Sequence, residues 1–216
     1  MSFVENENHQ FMQPYQLFDS TLALSREAIT DLKTIFVCQQ AHKNEVLASV
    51  GNLNKMYWIE MGLVRGYEYI HGHDITTWIV CENQFLYAAP ATLIHDVSFA
   101  HLQFLEDSTY WSCDWDALKN LYHKHPDLNF ASRLVLERMV RGYNMVMYML
   151  RVLRPKERLC YFEEHYADIY RRAPLHHIAS FLGVTPETLS RVRKKIQKEE
   201  KENANLKFLD FNQVIS

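Results

Sequence analysis

The spacing of apolar residues changes character at Asp116, and that change commits the chain to a β-rich front joined to a helical back. Between Glu45 and Asp116, short runs such as Lys55–Ile59, Leu63–Ile70 and Ile75–Val80 are rich in β-branched and aromatic residues, which suit a pleated surface. Turn-forming residues separate them at Gly51-Asn52, Met61-Gly62, Gly72-His73-Asp74 and Glu82-Asn83. Short strands recurring roughly every ten residues predict an antiparallel sandwich or barrel. No βαβ unit is readable in this region, which argues against a doubly wound nucleotide fold. Ahead of it, Leu22, Ile29, Leu32 and Phe36 have the spacing of a short amphipathic helix, with Ser25 placed to cap it.

Behind Asp116 the signals are helical, with an interruption at Pro126. Leu136, Met139, Tyr143, Val146, Leu150 and Leu153 then recur at spacings of 3, 4, 3, 4 and 3. This is an a/d seam, the pattern of helices that pair with one another, and it predicts a dimerisation helix over 133–154. Met145, Tyr148, Met149 and Val152 fall on a neighbouring face suited to packing on the helix's own domain. A core helix inside a monomer would show the same spacing. Pro155 ends this helix or opens the next, and Leu159, Phe162, Tyr166 and Ile169 continue as an amphipathic helix up to the break at Arg171-Arg172-Ala173-Pro174.

The segment from Ala173 to Ile196 is the most specific in the chain. Ile178, Ala179 and Leu182 share one face of a first helix, and small Ala179 allows a second helix to cross closely. Gly183 stands where the chain must enter the left-handed region. Thr185 is placed to cap the second helix and Pro186 suits its first position. Leu189, Val192 and Ile196 then turn inward. These features in register predict a helix-turn-helix.

On the opposite face of the second helix, Glu187, Arg191, Lys194 and Lys198 are spaced 4, 3 and 4, with Thr188 and Lys195 beside them. Arg191 can donate two hydrogen bonds to guanine, and Glu187 can accept one from cytosine. The lysines would hold phosphates. Charge follows the same division. Residues 1–132 carry 7 basic and 16 acidic side chains, whereas residues 133–216 carry 16 and 10. The basic back half is therefore the part expected to meet a polyanion.

These residues resemble the Crp/Fnr family of regulators. The closest likeness is Thr185-Pro-Glu-Thr-Leu-Ser-Arg191, similar to the start of that family's recognition helix. Trp58-Ile-Glu-Met-Gly-Leu-Val-Arg65 is similar to a β-roll turn, and Gly72-His-Asp-Ile-Thr-Thr77 follows it. The resemblance implies an α+β chain with three parts. An N-terminal double-stranded β-helix, jelly-roll-like and similar to cyclic-nucleotide-binding domains, would occupy 1–132. The dimerisation helix would take 133–154, and a winged helix-turn-helix 155–216, with Asn203–Ser216 expected to supply wing-like strand structure. It also implies a homodimer on near-palindromic double-stranded DNA, RNA polymerase as a second partner, and base-reading roles for Glu187 and Arg191.

Cyclic AMP binding in that family uses a Gly-Glu pair on the ribose and an Arg followed by Ser or Thr on the phosphate. An ungapped comparison from Glu82 places Tyr87-Ala88 and Ser98-Phe99 at those positions. A buried phosphate without its cation is costly, so no response to cyclic AMP is expected and the effector is left open. No cofactor is expected. Cys38, Cys81, Cys113 and Cys160 form no CxxC pair, and no spacing among the histidines supports haem.

Two other readings compete. His71-Gly-His73 invites a cupin-like metal site, but the Glu such sites need three or four residues later is missing. His176-His177 is expected to face phosphate or solvent. Alternatively, the chain is a ligand-sensing module without DNA binding. No GxSxG, phosphate loop or HExxH is present, so no enzyme is expected. Met1–Gln10 is polar and acidic, unlike a secretory leader. With no apolar run long enough to span a bilayer, a cytoplasmic location without membrane association is expected.

Overall fold

The computed structural model describes residues 11–48, 55–87 and 101–213. Two short helices come first, α1 (Pro14–Thr21) and α2 (Arg26–Ile35). The Ser25 side chain accepts from the Ala28 N–H at 3.2 Å, the N-cap expected from its place before the apolar repeat. Helix α1 precedes the first helix that the apolar spacing predicts. Its local cues are Pro14 at the first position and Gln16, whose Oε1 accepts from the Gln13 N–H at 2.6 Å.

Eight strands follow: β1 (Val37–Ala41), β2 (Val46–Ala48), β3 (Lys55–Met61), β4 (Val64–Ile70), β5 (His73–Val80), β6 (Gln84–Tyr87), β7 (His101–Phe104) and β8 (Ser108–Asp114). They form two four-stranded antiparallel sheets, in the orders β1-β8-β3-β6 and β2-β7-β4-β5. Each sheet alternates strands from the two ends of the sequence, which is the jelly-roll arrangement. The turn between β4 and β5 is the two-residue His71-Gly72, with Ile70 paired to His73 and both turn residues at positive φ (52° and 80°). That geometry suits the twist of the flanking strands.

Strand β3 lacks the period-two alternation of a half-buried strand. Tyr57 and Ile59 face the interior of the roll, with Val64, Leu86, Leu102 and Phe104. Met56 and Trp58 face the other way, onto a core built with α1 and α2. Both faces are buried, so the strand is a continuous apolar run. Strand β1 lies ahead of the region where strand signals begin. Only Ala41 of it is buried, and pairing with β8 holds it in place rather than an apolar pattern.

The back half is helical, with α3 (Trp115–Lys124), α4 (Pro126–Val152), α5 (Pro155–His165), α6 (Ala167–Arg172), α7 (Leu175–Phe181) and α8 (Pro186–Gln213). Pro126 and Pro155 each open a helix, where the missing N–H costs nothing. The long helix spans residues 126–152, starting seven positions before the expected 133. The single amphipathic helix expected across Leu159–Ile169 is instead two, α5 and α6, which meet at Tyr166.

The expected wing is not formed: residues 203–213 continue α8, and among the described residues no strand follows it. After Pro186 the sequence contains no Gly or Pro and is rich in Lys, Glu, Gln and Leu, so nothing interrupts the helix.

The C-terminal helices do not keep a separate core. Met149 of α4 and Leu159, Phe162, Ile169, Ile178, Ala179, Leu182 and Leu189 behind it form one buried cluster with Leu63, Ile79, Cys81 and Leu105 of the roll.

Candidate nucleic-acid interface

Helices α7 and α8 meet across residues 182–185, and the chain reverses there by two backbone bonds. The Gly183 N–H donates to the Ser180 carbonyl at 3.1 Å, and the Val184 N–H donates to the Ala179 carbonyl at 3.0 Å. Gly183 has φ +67°, the left-handed residue that this helix ending requires. Thr185 then caps α8, its Oγ1 accepting from the Thr188 N–H at 3.2 Å. Arg158 of α5 braces the same turn. Its Nη1 donates to the Leu182 carbonyl at 2.9 Å and its Nε to the Leu153 carbonyl at 2.8 Å.

The two sides of α8 separate as its sequence implies. Leu189 is buried, and Val192 and Ile196 pack beside it in the shared core. Glu187, Arg191, Lys194, Lys195 and Lys198 are exposed, and Thr188 is half-buried with its hydroxyl 3.4 Å from Arg191 Nη2. A solvent-open concavity runs along this face, lined by Pro186, Glu187, Ser190, Arg191 and Lys194. The Glu187 backbone N–H and the Thr185 hydroxyl hold the Glu187 carboxyl below the ordinary carboxylate range, so it is ionised and an acceptor at neutral pH.

The seam residues of α4 divide between two environments. Leu136 and Tyr143 are 43% and 55% exposed. Met139 packs on the core beneath α1–α3, and Val146, Leu150 and Leu153 pack on the core of the C-terminal helices. Leu136, Val140, Tyr143 and Met147 form a solvent-exposed stripe at heptad spacings of 4, 3 and 4, and of the face expected to pack on the helix's own domain only Met149 is buried, Met145, Tyr148 and Val152 being exposed.

Of the expected effector positions, Tyr87 closes β6, while Ala88, Ser98 and Phe99 lie outside the described residues. Phe85 is core, its ring 4.6 Å from Trp58 and 5.4 Å from Phe18. His71 and His73 are exposed on the β4–β5 hairpin, and the following Asp74 is taken by Arg65. Among the described residues, Glu27, Asp31 and His125 come close enough to share a cation. The Lys124 ammonium fills that role, 2.9 Å from Glu27 and 2.7 Å from Asp31. Cys38 and Cys160 are exposed, and burial pushes the Cys81 and Cys113 thiols up to about 12.

One group of residues gave no local signal in the sequence. Arg172 of α6 reaches Glu82 and Glu106 of the roll, and the Ser180 hydroxyl of α7 accepts from the Thr76 N–H of β5 at 2.9 Å. The partners lie 66 to 104 positions apart in the chain, so no spacing rule could join them. His177 of α7 packs half-buried near Asp74 and Arg65, while His176 is exposed, the two rings 3.9 Å apart.

The overall fold is similar to that of solved structures. FixK2 from Bradyrhizobium japonicum superposes with a TM-score of 0.62 at 16% identity, covering 77% of this chain and 86% of its own. A Crp/Fnr-family regulator from Eubacterium rectale gives 0.65 at 13% identity, covering 87% and 89%. The c-di-GMP-responsive global regulator CLP from Xanthomonas campestris gives 0.62 at 13%, covering 82% and 93%. The chain shares the cyclic-nucleotide-binding-like fold of these Crp/Fnr-type regulators. At such identities the likeness is one of fold alone. Residues 130–216, less than half of the chain, match a family described as a protein of unknown function, DUF1204. No curated protein matches the sequence. Among the described residues, no helix of this Crp/Fnr-like fold is long and apolar enough to cross a membrane.

Proposed function

We propose that this chain is a cytoplasmic, homodimeric transcription regulator that binds near-palindromic double-stranded DNA through α7 and α8. The observation that carries this reading is the division of α8. Leu189, Val192 and Ile196 anchor it to the body, while Glu187, Arg191, Lys194, Lys195 and Lys198 stand together in solvent. A helix held by one face with acceptor, guanidinium and ammonium groups along the other suits the major groove. In this reading Arg191 and Glu187 contact base edges, Thr188 steadies Arg191, and the lysines contact phosphates. Pairing of two α4 helices along Leu136, Val140, Tyr143 and Met147 would set two copies of α8 about 34 Å apart, one turn of DNA. The absent cassette carboxylate and guanidinium support a regulator that does not answer to cyclic AMP. RNA polymerase is the second partner consistent with this role.

The test is selection of bound duplexes from a random pool, followed by anisotropy titration at two salt concentrations. An inverted repeat should emerge, with affinity falling as salt rises. Arg191→Ala should cost about 1–3 kcal/mol and relax preference at one base position. A consensus that survives this substitution unchanged would remove Arg191 from base reading. Selection of no consensus by the wild-type dimer would overturn the regulator reading.

A further inference from the structure

Two turns at one end of the roll meet a single side chain of the C-terminal helices, and a third joins them through Glu82. The turns are those between β3 and β4 (Gly62), between β5 and β6 (Glu82) and between β7 and β8 (Glu106). Arg172 Nη1 and Nη2 donate to the two Glu82 carboxylate oxygens at 2.8 and 2.7 Å. Its other edge meets Glu106, with Nε 3.3 Å from Oε2 and Nη2 bonded to Oε1. Glu82 Oε1 also accepts from the Gly62 N–H at 2.8 Å. Both edges of the guanidinium are thus engaged, and its planar fork fixes direction as well as distance.

The side chains of Arg172 and Glu82 are 27% and 10% exposed. Water therefore competes weakly, and removing either partner would leave the other's charge unpaired in a poorly solvated place. Arg172 is the last residue of α6, and α7 begins three residues later, after Ala173 and Pro174. The Ser180 bond to Thr76 fixes the far end of α7 against β5. These contacts set the direction of α7, and the Gly183 turn passes that direction to α8. None of them uses the solvent face of α8.

We propose that Arg172, acting through Glu82 and Glu106, is a positioning residue that fixes the angle at which the roll presents α8, and so the spacing between half-sites that a dimer accepts. This rests on the DNA-binding reading above. A loosened joint would leave base preference within each half-site intact, because Glu187 and Arg191 are untouched. It would let the two recognition helices reach a wider range of separations.

The experiment uses the full-length protein and duplexes carrying two inverted copies of the half-site that the wild type selects, separated by a graded series of spacers. Wild type should prefer one spacer. Arg172→Gln and the milder Glu106→Gln should keep the half-site consensus but reduce discrimination between best and neighbouring spacers by about fivefold or more, the range of ordinary coupling between sites. Arg172→Lys, which cannot engage both carboxylates in two forks, should fall between. Circular dichroism and thermal melting identify variants that have lost the fold, and Glu106, the more exposed partner, keeps the test open if Arg172→Gln does not fold. Folded variants with the wild-type spacer profile would overturn the positioning role and leave the DNA-binding reading standing. A wild type that selects no half-site would overturn that reading and this inference with it.

Discussion

His177 lies half-buried where α7 meets β5, facing Asp74, Arg65 and neighbouring His176. Burial first, then the charges of Arg65 and His176, push its imidazole down to about 4, with Asp74 opposing. An ordinary histidine titrates near about 6.5. Between those two values the unfolded chain holds a proton that the folded chain does not, so folding stability falls as pH drops from about 6.5 towards 4. Below the lower value both states are protonated and this contribution is gone. His177→Asn should flatten the fall in thermal midpoint across that window, followed by melting at successive pH values. An unchanged slope would assign the titration to another group. At this scale the sequence was uneven. The capping roles of Ser25 and Thr185 and the left-handed Gly183 were readable, because each depends on neighbours within three or four residues. His176 and His177 look alike in sequence and differ in burial only because β5 lies against α7.

Helix α4 shows what a heptad pattern can and cannot say. Its apolar residues encircle more than one face. Val135 and Met149 are buried, whereas Leu136, Val140, Tyr143 and Met147 form an exposed stripe. The expected seam of Leu136, Met139, Tyr143, Val146, Leu150 and Leu153 runs between them, because periodicity reports that a helix is amphipathic without saying which neighbour covers which edge. The useful disruption is therefore Val140→Glu with Tyr143→Glu, since Val146 also supports the chain's own core. This pair should convert dimer to monomer with little change in helix content, judged by light scattering and circular dichroism. A persistent dimer would move the interface off this stripe. The wing failed for a different reason. Residues 203–213 contain no breaker to end α8, and there propensity prevailed over the analogy.

The β-to-helix order of the whole molecule was legible from the change at Asp116, and β8 ends at Asp114 with α3 opening at Trp115. The joint between the halves was not, because it is made of residues distant in sequence that meet only after both halves form. Leu63, Ile79, Cys81 and Leu105 of the roll supply one wall of the core that Leu159, Phe162 and Ile178 fill. Residues 155–216 expressed alone should therefore lack cooperative thermal unfolding, because that wall would be exchanged for water. A sharp melting transition in this fragment would show that the helices suffice by themselves. The same joint has a protective side. Strand β5 ends the order β2-β7-β4-β5, and the outer backbone of such a strand is a template for another chain's strand. Ser180 occupies the Thr76 N–H and α7 lies along β5, so the helix that helps aim α8 also keeps two rolls from zipping together edge to edge.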